Sequence, residues 1–292
     1  TTSIGSAFMK ESAARHVSVT GSGLTAIDHS ALSNAAPDLT KVDFAKCPAL
    51  QTVGANFGAR SAIESLTLAA SVAALGDHFM ITSSGKEVAI AAPGVKVIGA
   101  GAFSGASTRA VDLRGCTALT TIGDDFGKGS HIREVLLPPS VTSIGADFLR
   151  DGQAPRTTSV TAPGLTAIGP NAFGGSAAVK LDLWKCGALL SLDDDFGGGG
   201  CVEQLRLPAS VTAIGARFLC DGSGKLAAVS APGLAVVGEH ALLKAKATKV
   251  DLRHCPALRH IGNSFGQLSY IEDLQLPEAT AFIGDQLLFN GR

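Results

Sequence analysis

The chain is poor in charge, in aromatics other than Phe, and in any bias toward one sign of charge. Charged residues fill 17% of its 292 positions, against roughly a quarter in ordinary globular domains, and the formal net charge is −1. It therefore lacks the basic character that nucleic acid or an anionic membrane requires of a partner. There is one Trp, one Tyr and two Met. No run of about 20 apolar residues occurs, so no membrane-crossing helix is expected. N-x-S/T is also missing, which argues against a heavily glycosylated ectodomain. The opening TTSIGSAFMK lacks the basic start and apolar stretch of a signal peptide. It starts inside a repeat, and the closing LLFNGR stops where a repeat stops. The expectation is a piece of a longer protein.

Apolar residues and glycine take the place of charge. They make up 46% and 35 residues respectively, enough for a large core, and the glycines recur at fixed places. A T-x-I-G-like mark falls at Ile4, Ile27, Val53, Leu75, Ile98, Ile122, Ile144, Ile168, Leu192, Ile214, Val237, Ile261 and Ile283, at intervals of 22 to 26 residues. Gly follows eleven of the thirteen marks, with Asp28 and Asp193 as exceptions. A large apolar residue stands four or five places further on, and ten of the thirteen Phe obey this rule.

A longer period is laid over the short one. Three kinds of unit alternate, represented by VEQLRLPASVTAIGARFLCDG (202–222), AAVSAPGLAVVGEHALLKAK (227–246) and TKVDLRHCPALRHIGNSFG (248–266). The third kind carries Cys47, Cys116, Cys186 and Cys255, at spacings of 69, 70 and 69. A three-coil block of about 70 residues, repeated four times, explains both periods. One unit cannot bury its own apolar side chains, but stacked units share a continuous core. Heads such as LRL and VDL alternate inward and outward and predict short parallel strands on one face. The expectation is a single solenoid over 1–292 of about thirteen coils with little helix. At the usual strand spacing such a stack is roughly 60 Å long.

The wording LRLPASVTAIGARF at 205–218 resembles the BspA-like type of leucine-rich repeat, and the likeness runs over essentially the whole chain. The common type follows its strand with an Asn ladder; here that place holds Cys116, Ser140 and Pro163 by turns. The resemblance implies a leucine-rich-repeat solenoid that binds protein, at a cell surface or secreted, often in adhesion. It names no ligand.

Chemical signatures are weak throughout. The four repeat cysteines lie three coils, about 14 Å, apart, too far for a disulfide or a shared zinc. They read as small buried residues. Cys201 and Cys220 stand 19 residues apart, almost one coil, where either a bridge or two free thiols is open. Six free thiols are unusual in a secreted protein, and this favours the competing cytoplasmic location. The seven His form no H-E-x-x-H, and one coil is expected to place His254, Cys255 and His260 on different sides. Asp193, Asp194 and Asp195 lack the alternating oxygens of a calcium loop and read as an acidic turn. GDDFGKGS at 123–130 has the wrong spacing for a phosphate loop. No nucleophile stands with a base, so no enzyme, metal or cofactor is expected.

The outward positions of the strand face remain. In the third kind of unit the middle outward residue is always Asp: Asp43, Asp112, Asp182 and Asp251. The register places Asp182 beside Arg206, and Lys249 beside Asp273. Trp184 projects two residues beyond Asp182, where Arg114 and Arg253 stand in other blocks. Trp and Arg are the residue types that most often anchor interfaces. The candidate ligand-binding face is therefore Lys180, Asp182, Trp184, Gln204 and Arg206, with Arg114 and Arg253. The bland alternative has Asp182 and Arg206 neutralise each other while Trp184 covers Pro208. Small, mild residues fill other outward positions, among them Ser18, Ala89, Ser159 and Ala228, and this suits a protein partner. The functional expectation is non-enzymatic protein binding at a cell surface. The competing expectation is an intracellular scaffold whose repeats supply a rigid platform.

Overall fold

The computed structural model describes residues 2–6, 8–9, 14–35, 38–154 and 156–291. The chain divides into two compact units, Thr1–Gly145 and Ala146–Arg292. Each is built of coils that carry one head strand and one mark strand, and no helix occurs among the described residues.

In the first unit six head strands pair in parallel and in chain order, from His16–Thr20 through Lys41–Lys46, Ser65–Thr67, Glu87–Ala91 and Ala110–Asp112 to Glu134–Leu136. Seven two-residue mark strands, from Ser3–Ile4 to Ser143–Ile144, form a second parallel ladder. The second unit repeats the plan. Its heads run from Thr157–Thr161 through Lys180–Asp182, Gln204–Arg206, Leu226–Ser230 and Lys249–Asp251 to Asp273–Gln275. Its mark strands from Ser191–Leu192 to Phe282–Ile283 pair likewise. A two-residue strand has no stability alone. It persists here because identical neighbours on either side satisfy its backbone groups.

All thirteen sequence marks become strands, and the branched side chains of the first twelve are buried while Ile283 is exposed; Ile98, Ile122 and Ile261 have no exposed surface. The Phe ladder lies behind them. Phe57 and Phe79 stack with centroids 5.7 Å apart, and Phe103 follows edge-on at 6.0 Å. In the second unit Phe148, Phe173 and Phe196 continue the same spacing at 5.6 and 5.4 Å. Each buried Phe contributes about 1.5–3 kcal/mol of apolar burial.

The glycine that follows most of the marks answers a crowding problem. A Cβ on Gly76 would stand 2.6 Å from the backbone nitrogen of Ala55, and one on Gly262 would stand 2.6 Å from that of Glu239. Neither glycine has positive φ, so the close approach of successive coils, and not backbone strain, dictates the residue.

The turn that follows uses left-handed backbone at alternate positions, as at Gly101, Phe103 and Gly105, with φ of 70, 58 and 65°. Alternation throws successive N–H groups to opposite sides. Gly101 and Gly105 donate forward to Asp124 and Lys128 at 2.8 and 2.7 Å, while Phe103 donates back to Phe79 at 2.9 Å. One turn thereby bonds both neighbouring coils without a helix. GDDFGKGS belongs to this turn: Asp125, Gly127 and Gly129 are its left-handed residues, and Lys128 pairs with Asp125 at 2.8 Å.

Candidate ligand-binding strand face

The outward Asp of each third-kind unit has a local task. Its Oδ1 accepts the backbone N–H two residues on: Ala45 to Asp43 at 2.8 Å, Arg114 to Asp112 at 3.0 Å, Trp184 to Asp182 at 3.0 Å and Arg253 to Asp251 at 3.1 Å. At Asp112, Asp182 and Asp251 this side-chain turn coincides with the strand's end, while the Asp43 strand runs on to Lys46; in each it holds the next outward residue at a fixed angle. Two places further on, the Cys thiol donates to a carbonyl of an earlier coil, as Cys116 does to Ile90 at 3.6 Å and Cys186 to Val160 at 3.5 Å. Asp and Cys together thus lock the strand's exit. Burial pushes the Cys116 and Cys255 thiols up to about 11 and the Cys186 thiol up to about 12. All six cysteines are free thiols, and the four repeat cysteines are buried. Cys201 Sγ lies 3.2 Å from Ser223 Oγ.

What stands on the locked turn differs from block to block. Arg114 folds back on Asp112, with Nε and Nη2 at 3.0 and 2.7 Å from its oxygens, and Arg253 does the same to Asp251 at 3.0 and 2.8 Å. These contacts hold the Asp112 carboxyl below its usual range and bring Asp251 down to about 2. Trp184 replaces the Arg in the third block and is 41% exposed.

The second unit brings Lys180, Asp182, Trp184, Gln204 and Arg206 together as expected. Lys180 faces Gln204, and Asp182 faces Arg206, across two adjacent strands. The expected Lys249–Asp273 neighbours form an ion pair at 3.2 Å. The bland alternative for Asp182 and Trp184 takes a different form. Arg206 does not turn to Asp182; its guanidinium lies over the Trp184 ring, 4.5 Å from the centroid. Asp182 already serves the Trp184 N–H, and the guanidinium lies over the indole. Arg253 joins this face two strands further on. Arg114 belongs to the corresponding face of the first unit.

Beside the stack lies an open furrow of about 200 Å³ between Lys180, Gln204 and Arg206 on one side and His254 on the other. Ala228 and Ser230 form its floor. The composition singled out neither Ser230 nor His254 for this face. The signal was in the register: small residues on one strand leave a depression between longer neighbours. His254 and His260 do lie on different elements, since His260 sits on a mark strand and stacks on Phe282 at 4.5 Å. In the acidic turn, Asp194 Oδ1 accepts the Ala216 N–H at 2.8 Å and Asp195 pairs with Arg217. Among the described residues no group of three or more His, Cys, Asp or Glu is placed to hold a metal. Among them there is no helix long and apolar enough to cross a membrane.

Comparison with known proteins bears on the repeat itself. A family model described as BspA type leucine rich repeat region matches residues 51–180 in six copies. Among solved structures, the chain is similar to a leucine-rich repeat protein from Bacteroides ovatus, at 17% identity over 97% of this chain and 78% of that one, with a TM-score of 0.43. It is also similar to a leucine-rich repeat protein from Eubacterium ventriosum, at 15% identity over 78% of this chain and 83% of that one, with a TM-score of 0.28. No curated protein matches. The strands, the mark ladder and the Phe ladder of the matched residues continue on both sides of them. Residues 51–180 carry BspA-type leucine-rich repeats, and the repeats make a protein-interaction domain.

Proposed function

We propose that this domain is a non-enzymatic recognition module that binds a protein partner at a cell surface through the strand face around Trp184. The observation that carries the reading is the exposed Trp184 held beneath Arg206 on a hydrogen-bonded parallel array. Binding energy at interfaces concentrates in a few Trp, Tyr and Arg side chains on rigid supports.

Cell-surface placement follows the family. Six free thiols favour the second reading, a scaffold inside the cell. Burial weakens that objection. Thiols with no exposed surface and raised pKa are poor nucleophiles and survive in oxidising surroundings. The proposal also takes residues 1–292 as one cooperative solenoid, and limited proteolysis that released two stable halves would count against that part.

A photo-cross-linking residue at position 184 recovers the partner, whose affinity is then compared for the unmodified chain and Trp184→Ala. The expected result is at least tenfold weaker binding with a thermal midpoint within a few degrees. Unchanged binding removes the face from consideration.

A further inference from the structure

We infer that the furrow beside Trp184 is a carboxylate-binding site for an acidic segment of the protein partner, in which Arg206 binds the carboxylate and Trp184 is the platform that positions Arg206. The inference rests on the strand-face reading above and names its ligand chemistry.

The Arg206 guanidinium makes no hydrogen bond or ion pair among the described residues, whereas those of Arg114, Arg217 and Arg253 each close on an Asp. Its nearest acids are occupied. Asp182 accepts from the Trp184 backbone, Asp251 holds Arg253, and Glu203 accepts the Lys225 N–H at 2.9 Å. The Arg206 Cζ lies over the indole, 4.5 Å from the ring centroid. Stacking leaves the in-plane N–H donors free and fixes their plane, the arrangement that receives a carboxylate through two parallel hydrogen bonds.

The furrow adds further donors and no free acid. Lys180 and the Gln204 amide stand on its near side, and His254 stands across the Ala228–Ser230 floor. It spans two strand spacings, about 10 Å, the length of about three extended residues. That extent and the chain's net charge of −1 suit one or two acidic side chains, not a long polyanion, which needs a broad basic track.

The first unit supplies a control. Its equivalent furrow, about 410 Å³, is lined by Ser65, Thr67, Ala89, Ala91, Asp112 and Arg114. Thr67 stands where Arg206 does, and Ala45 where Trp184 does. Its Arg114 is clamped by Asp112, so no stacked, unpaired Arg is present. The site belongs to the second unit.

The test is a titration of the purified chain with acetyl-hexaglutamate amide, followed by the emission of Trp184, the one Trp. The same peptide carrying a fluorophore follows the Trp184 variants by anisotropy. Saturable binding is expected that hexaglutamine and hexalysine peptides do not reproduce. Arg206→Ala and Arg206→Lys should each weaken it at least tenfold, because an ammonium cannot replace the planar fork. Trp184→Phe should stay within about threefold, and Trp184→Ala should lose at least tenfold. Wild-type affinity in Arg206→Lys, equal binding of hexaglutamine, or tighter competing binding of a heparin fragment would overturn the inference. If the cross-linked partner depends on Trp184 but not on Arg206, the carboxylate site falls and the strand-face reading stands. If it depends on neither, both fall.

Discussion

Lys41, Ser65, Ala89 and Asp112 face one another across four strands of the first unit, and Lys180, Gln204, Ala228 and Asp251 form the same row in the second. The next row reads Asp43, Thr67 and Ala91 in one and Asp182, Arg206 and Ser230 in the other. Lys, Ala and the two Asp are common to both furrows. Ser65 and Gln204, Thr67 and Arg206, Ala91 and Ser230, Ala45 and Trp184, Gly115 and His254 are the changes. The common residues include those that do structural work, since each Asp accepts the N–H two places on. The changed residues point outward and carry no ladder contact. A repeat built this way can alter its surface one coil at a time without touching its core, which is how one block acquires a stacked arginine while another stays neutral.

The largest expected effect would show whether the two units share one framework. Phe103→Ala and Phe173→Ala remove fully buried rings at the same place in two blocks. Each should cost about 3–5 kcal/mol in denaturant unfolding. A cost confined to one of them would break the equivalence of the units. Next comes a transplant. Ala45→Trp with Thr67→Arg in the first furrow should create a second hexaglutamate site, raising stoichiometry from one to two in isothermal titration. A folded double variant that still bound one peptide would show that His254 or Gln204 carries more of the site than the stack does.

The buried thiols should act alike in both units. Their folded-state pKa values of about 11 and 12 lie above the ordinary 9.0. The folded state therefore holds protons that the unfolded chain releases. The stability from Cys116, Cys186 and Cys255 is complete below pH 9 and falls as pH rises toward 11–12. Chemical unfolding across that window should show the decline, and Cys116→Ala with Cys186→Ala should flatten it.

A smaller effect concerns backbone strain. Gly101 and Gly105 occupy left-handed positions where the second unit has His240 and Lys244, at φ of 56 and 55°. Lys244→Gly should stabilise by about 1 kcal/mol or less, since only the Cβ penalty is removed. Gly105→Lys should do the reverse.

The smallest effect should come from the exposed clamps. Asp251→Asn should lower the thermal midpoint by about a degree or two at neutral pH, and Asp112→Asn by less, because surface pairs are screened. The sign follows from the depressed carboxyl of Asp251. Its contribution is present above the ordinary carboxylate pKa and is lost as pH falls through about 2.

The repeat determined the fold at the level of sequence. Thirteen marks at 22 to 26 residues gave thirteen mark strands, and the register they imply set Asp182 opposite Arg206 and Lys249 opposite Asp273. This was legible because a coil's core positions must coincide with those of its neighbours, and that requirement is written as periodicity. The Phe ladder was legible for the same reason. Three things needed the tertiary structure. Glycines after the marks, such as Gly76 and Gly262, proved to be required by the backbone of the previous coil, a distance that no local pattern encodes. The absence of helix depended on left-handed backbone at residues such as Phe103, His240 and Leu242, whose identities give no hint of it. The site itself turned on a competition. Register makes Asp182 and Arg206 neighbours and suggests an ion pair, but the carboxylate is claimed by its own strand's turn, and the long Arg side chain swings to the indole face. Sequence periodicity fixes where each Cβ stands. Side-chain torsions and the rivalry of nearby donors and acceptors decide what its end touches, and these are settled only when the neighbouring strands are in place.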